Sequence, residues 1–373
     1  MLKLPSYLKF VIILFGLIML FFVLIIGRSF VVPVVTAFIF ALILQPVCTF
    51  LEKWKIPRGL SSILSIILIF VVLFFTFYFI SIQVGSISRD LSEIGSRFQG
   101  FVDEVNAWLS ENLGIAEGQQ AEYFKDSISD FVQSSSSILT NTLSATADFF
   151  TSLVLIFISL FFLLYYRSFF VEFLYRLIPA DSHTKLGLII KNGTSVVRAY
   201  VIGLFTVILI LAILNTTGLM LIGIEHAMFF GVLAAMLTVI PYFGVIIGSI
   251  LPILFAFLTK DSLWYPIGVA IMFWVVQFLE GNFITPNIVG NKVSLNPFVV
   301  ILALFIGGMV WGAIGMILAI PVVAMLKVIF DSVDSLKPFG FLMGYPPHES
   351  GGGDPPHKVR KEKNIASRKK VNA

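Results

Sequence analysis

The sequence predicts an all-α, polytopic membrane protein with about eight transmembrane helices, some broken or re-entrant, on three observations: composition, run length and charge placement. Apolar residues make up 58% of the 373 positions and charged residues only 12%. A bilayer core of about 30 Å takes roughly 20 helical residues. Eight uncharged stretches approach or exceed that length: Phe10 to Gly27, Ser29 to Leu51, Gly59 to Ser88, Phe149 to Tyr166, Ala199 to Ile224, Ala227 to Thr259, Ser262 to Leu279 and Phe298 to Leu326. The first run is trailed by a second with no small-residue cleavage pattern between them, which reads as a retained helix rather than a signal peptide.

Basic residues set the expected topology. Lys3 and Lys9 precede the first run, Lys53, Lys55 and Arg58 follow the second, and Arg167, Arg176, Lys185, Lys191 and Arg198 follow the fourth. By the positive-inside rule these are cytoplasmic faces, and both termini are expected in the cytoplasm. Four segments result. Residues 1–84 hold the first three spans, 85–148 form an extracytoplasmic helical segment, 149–338 form a C-terminal transport region, and 339–373 form a disordered basic tail. Lysine and arginine beside an apolar span are explained by topology and by anionic lipid headgroups, so the bilayer is an expected partner and nucleic acid is not.

The external segment carries Arg89, Arg97 and Lys125 against ten acidic residues. Val84, Ile87, Leu91, Ile94, Phe98, Phe101, Val105, Trp108 and Leu109 recur at three- and four-residue steps, an amphipathic helical stripe. Tyr123, Phe124, Ile128, Phe131, Val132, Leu139 and Leu143 form a second, weaker stripe leading back to the membrane.

Two runs are too long for a plain crossing. As straight helices, Ala227 to Thr259 and Phe298 to Leu326 would reach about 50 and about 43 Å at 1.5 Å per residue. They must tilt, break or turn back. The first holds Pro241, Gly244, Gly248 and Pro252; the second holds Gly312 and Gly315, ends near Pro321, and follows Pro297. Proline removes a ladder hydrogen bond and glycine loosens the backbone, so these positions are the expected breaks or hinges. The spacings Gly244-x-x-x-Gly248 and Gly308-x-x-x-Gly312 also suit close helix packing. Whether each long run is one kinked span or a re-entrant pair stays open at the level of sequence.

Between these runs lies the expected substrate or ion pathway: Gln277, Glu280, Asn282, Thr285, Pro286, Asn287 and Gly290. Glu280 ends the uncharged run from Ser262 to Leu279, a costly place for an acid unless it is paired or used. Broken helices at membrane depth are tolerated where they line a wet cavity, and their freed backbone groups can serve as ligands. In this reading Glu280 carries a proton or cation, Asn282, Thr285 and Asn287 supply oxygens, and Pro286 and Gly290 hold the bend. A plain polar loop at the membrane boundary is the competing reading.

The pattern points to a secondary transporter that exports a small polar solute or cation at the expense of an ion gradient. No phosphate-binding loop of the form Gly-x-x-x-x-Gly-Lys-Ser/Thr is present for ATP-driven pumping. An intramembrane enzyme is not expected: His183, His226, His348 and His357 form no His-Glu-x-x-His, and no Gly-x-Ser-x-Gly turn occurs. Cys48 is the single cysteine, so neither a disulfide, a metal site nor a cofactor is expected. A membrane scaffold acting through its acidic external helices and basic tail is the remaining alternative.

The chain also resembles the autoinducer-2 exporter family of permease-like proteins. The matching residues are Pro33, Ala37 and Pro46, the Pro57-Arg58 pair, Pro241-Tyr242-x-Gly244 with Pro252, the block from Glu280 to Gly290 with Pro297, and Gly312-x-x-Gly315-Met316 through Pro321. The resemblance implies a bacterial inner-membrane protein of about eight spans, often homo-oligomeric. It further implies either export of autoinducer-2 or sodium/proton antiport, with a proton or sodium as the coupling ion.

Overall fold

The computed structural model describes residues 5–82 and 150–345, except 77, 80, 242 and 291–293. Every regular element among the described residues is helical, as the sequence predicts. Six helices are long and apolar enough to cross a bilayer, or seven if one pair bent by 68° is taken as a single span. The expected extracytoplasmic stripes and the tail beyond Tyr345 lie outside the described residues.

The N-terminal part comprises α1 (Ser6–Ile26), α2 (Arg28–Lys53), α3 (Arg58–Thr76), α4 (Phe150–Tyr165) and α5 (Arg167–Leu177), with α4 and α5 forming the bent pair. Ala37, Ala41, Leu44 and Cys48 of α2 pack on Ile66 of α3 and on Leu160 and Leu164 of α4. Alanines on α2 let the helices approach closely, which drives association in lipid, where apolar contact alone does not. Ser61, Ser62 and Ser65 are fully buried on α3, and their hydroxyls donate to the carbonyls of Ile56, Arg58 and Ser61. Their protons are thus satisfied within α3 and the residues just before it, and Ser65 Oγ also accepts from Cys48 Sγ of α2 at 3.1 Å. Arg167 at the bend pairs with Glu52.

The C-terminal part is built along α6 (His183–Ile222), whose 40 residues make it about 60 Å long. It stops at Gly223, whose φ of 84° only glycine adopts freely. Lys185 near its start joins Asp334 at 2.9 Å, and Arg198 donates to the Leu42 carbonyl of α2 at 3.2 Å.

The apolar run from Ala227 to Thr259 turns back on itself. It forms α7 (Ala227–Leu237) and α8 (Phe243–Thr259), joined by a turn that contains Pro241. A Cβ on Gly244 would stand 1.6 Å from the Leu237 carbonyl oxygen, and one on Gly248 would stand 2.9 Å from Ala234 Cα. Only antiparallel legs give such contacts. At the open end Lys260 bridges to Glu225 at 3.1 Å, so both feet of the hairpin stand together. A leg of 11 residues spans about 17 Å, well short of a bilayer core.

The second long run does the same within α11 (Pro297–Ser332). Gly312 has φ 63° and ψ −143°, a region closed to side chains, and the chain reverses there. Gly307 and Gly315 touch across the turn, whereas eight residues of straight helix would separate them by about 12 Å. Asn296 caps the first leg by accepting from the Val299 amide, with Pro297 in the first turn. The Asn296 side-chain amide donates to the carbonyls of Leu342 and Gly344, tying the first foot to α12 (Lys337–Met343), which packs along the second. Residues 339–343 of the expected tail therefore belong to a helix.

Between the hairpins, α9 (Trp264–Leu279), a π-helical segment (Glu280–Ile284) and α10 (Thr285–Ile288) run antiparallel to α6. A Cβ on Gly218 would meet Met272 at 2.7 Å, and one on Gly203 would meet the Ile288 carbonyl oxygen at 3.3 Å. These contacts bracket Glu280 and set it abreast of the middle of α6.

Candidate functional site

Contacts along α6 place the two hairpin turns at a common depth. The first hairpin descends from Thr216, which crowds Gly231, while the second ascends from Gly193, which faces Met325. The turns converge on a cavity of about 790 Å³. Val239 of the first turn and Trp311 and Ile314 of the second line it, with Leu204 and Ile208 of α6 and Pro33 and Pro321. Its polar wall comes from Arg28, Ser29, Thr36, Thr151, Ser152 and Tyr200. The volume suits a small solute, and a mostly apolar wall with a few polar groups is the usual make-up of a ligand pocket.

Trp311 is held by its indole N–H, which donates to the Leu24 carbonyl of α1 at 2.9 Å. That bond fastens the second turn to α1, which also packs on α2.

Glu280 lies at the same depth, half-buried, at the start of the π-helical segment. Pro286 gives the local cause. It lacks the N–H that would bond to the Asn282 carbonyl, and its ring crowds that carbonyl, so the preceding turn widens. The carboxylate receives Gln277 Nε2 at 2.7 Å on one oxygen and the Thr285 hydroxyl on the other. Gln277, Glu280 and Thr285 thus form one constellation.

The remaining pathway candidates stand apart from it. Asn282 and Asn287 are exposed on the outer face, where their amides donate to the Phe278 and Phe283 carbonyls four residues back. Pro286 and Gly290 are exposed as well. Of the hinge candidates, Pro241 lies in the first turn and Gly312 forms the second, while Gly244, Gly248 and Gly315 are the contact points between legs. Pro252 is buried within α8, Pro297 opens α11, and Pro321 reaches the cavity wall.

Sequence reasoning missed the cavity's own polar residues. Arg28 and Tyr200 are among them. It also missed Asn215 and Thr238, which face Gln277 across a small void. Asn215 carried a weak signal as one of few polar side chains in the run from Ala199 to Ile224. Among the described residues no group of three or more His, Cys, Asp or Glu side chains could hold a metal ion.

These features define a multi-span helical membrane protein whose broken helices close around a central cavity. Residues 12–335 match the family described as AI-2E family transporter, and the chain belongs to that family, a family of transporters rather than enzymes. It is similar to YueF of Bacillus subtilis (strain 168), 29% identical over 314 residues that cover 81% of this chain and 83% of the relative. It is also similar to YrrI of the same organism, 26% identical over 316 residues, 81% of this chain and 86% of the relative. The AI-2 transport protein TqsA of Escherichia coli (strain K12) is 21% identical over 310 residues, 82% and 86% of the two chains.

Proposed function

We propose that this transporter is a secondary exporter that moves a small polar solute such as autoinducer-2 through the cavity between the two hairpin turns, driven by a proton or sodium gradient. The observation that carries this reading is the convergence of two turned-back helices, from opposite ends of α6, on one cavity of about 790 Å³ with Glu280 at the same depth. Half-length helices at membrane depth present backbone groups to cargo while the rest of the protein stays dry.

Glu280 takes the proton or cation in this scheme, and Gln277 and Thr285 position its carboxylate. The size of the cavity favours a small organic solute over a bare ion, which ranks export above simple sodium/proton antiport. The name of the relative TqsA supports autoinducer-2 as the first solute to test. The basic loops support a bacterial inner-membrane placement with both termini in the cytoplasm. Assembly into a homo-oligomer is supported by the family resemblance alone, since apolar surface such as that of α1 is satisfied by lipid.

Flux in proteoliposomes, comparing autoinducer-2, sodium and protons, tests the proposal. Expected is solute efflux that rises with an opposing proton or sodium gradient. Gradient-driven exchange of sodium and protons without solute movement would favour the antiporter, and no flux of any of the three would leave a scaffold.

A further inference from the structure

Asn215 is 3% exposed, and its Oδ1 has no hydrogen-bond partner among the described residues. An unmatched buried acceptor costs about 1–3 kcal/mol. The side chain borders a cavity of about 10 Å³ that it shares with Thr238 of the first hairpin turn and Gln277 of α9, closed by Leu211, Val245 and Phe273. Such a volume admits a single ion or a single water molecule and nothing larger.

Thr238 has committed its one hydroxyl proton elsewhere, and Gln277 one of its two amide protons. Thr238 Oγ1 donates to the Ala235 carbonyl at 2.6 Å, and Gln277 Nε2 donates to Glu280 Oε2 at 2.7 Å. The acceptor oxygens they retain are Thr238 Oγ1, through its lone pairs, and the Gln277 carbonyl. Asn215 Oδ1 is a third. An all-oxygen set complements a hard cation. Glu280, one hydrogen bond away through Gln277, supplies the negative charge that a dehydrated cation needs in a low dielectric. One carboxylate matches one positive charge.

We infer that Asn215, Thr238 and Gln277 form a binding site for one dehydrated monovalent cation of about sodium size, neutralised through Gln277 by Glu280. The inference deepens the transport reading and rests on it for its purpose. Thr238 and Val239 are adjacent in the hairpin turn, and Val239 lines the larger cavity. A bound cation ties that turn to α6 and α9 at once. Its departure frees the turn, and with it one wall of the solute cavity, which is how ion occupancy reaches the cargo.

The test uses the full-length protein in nanodiscs, with equilibrium binding of radiolabelled sodium and thermal denaturation in sodium against choline chloride at equal ionic strength. Expected is saturable binding of one sodium per chain and a sodium-specific rise in melting temperature. Asn215→Leu and Thr238→Val should each weaken binding about 10- to 100-fold, as loss of a ligand to a charged group implies. Thr238→Ser should restore it. If Asn215→Leu does not fold, the Thr238 pair carries the test alone. Equal behaviour in sodium and choline, or undiminished binding in the variants, overturns the site and leaves a structural water only. Sodium binding without solute flux would sink the transport reading and keep the site, whereas flux without sodium binding would do the reverse.

Discussion

Gly307 and Gly315 stand back to back across the second hairpin: a Cβ on Gly315 would lie 1.9 Å from the Gly307 carbonyl oxygen, and one on Gly307 would lie 2.5 Å from that of Gly315. Backbone meets backbone there, so no side chain can swing aside to make room. Gly315→Ala should force the legs apart and destabilise the protein by about 1–3 kcal/mol, the usual cost of overpacking. Thermal denaturation in detergent checks this. Gly16→Ala is the control, since no atom lies within 4 Å of the added methyl group, and it should leave the melting temperature unchanged or slightly raised.

Gly312 makes a different demand. Its neighbourhood is open, but its φ of 63° with ψ of −143° excludes a side chain on conformational grounds alone. Gly312→Ala should cost about 1–3 kcal/mol through backbone strain. Because Trp311 and Ile314 flank it on the cavity wall, solute flux should fall as well. An alanine variant with wild-type melting and flux would show that the turn does not need this geometry.

The feet of the first hairpin give a topological prediction. Glu225 and Lys260 are 3.1 Å apart, so Glu225→Cys and Lys260→Cys should react with an impermeant thiol reagent from the same side of the membrane. The outer face is expected from the placement of basic residues. A single kinked crossing would put them on opposite sides. Cys48 is buried and should not contribute to labelling.

Glu280→Gln keeps the shape of the side chain and removes the charge, with an NH2 in place of one of the two oxygens that accept from Gln277 and Thr285. Flux should drop at least about tenfold, equivalent to about 1.4 kcal/mol, and the residual rate should no longer vary with pH. A variant that retains both rate and pH response would rule out a carrier role.

Outside the membrane helices, Asp334 is held down to about 2 from its ordinary 3.8 by hydrogen bonds from Lys337 and Lys185 and by their charges. A depressed carboxyl contributes stability above its unfolded value and loses it as pH falls through the folded one. The tie between the start of α6 and the end of α11 should therefore persist below pH 3.8 and fail only near pH 2. Carboxyl-carbon NMR of Asp334 reads this directly, and Lys337→Ala should move the midpoint upward.

Local chemistry was legible in the sequence. An acid at the end of an apolar run and a proline that breaks the ladder before Asn287 each act within a few residues of themselves, so pattern alone exposes them. Glu280 with Gln277 and Thr285 emerged in this way. Asn282 and Asn287 are close to them in the chain but exposed, their amides spent on carbonyls four residues back.

By itself, the sequence determined that this chain is a helical membrane protein, where its apolar runs lie and where they must break, since hydrocarbon admits only internally bonded backbone. Only the tertiary structure decided that two of those runs turn back, that their turns meet beside the middle of α6, and that Asn215, Thr238 and Gln277 share one void. Those relationships join residues far apart in the chain. They depend on glycine contacts such as Gly307 with Gly315 and Gly231 with Thr216, whose partners no local pattern names.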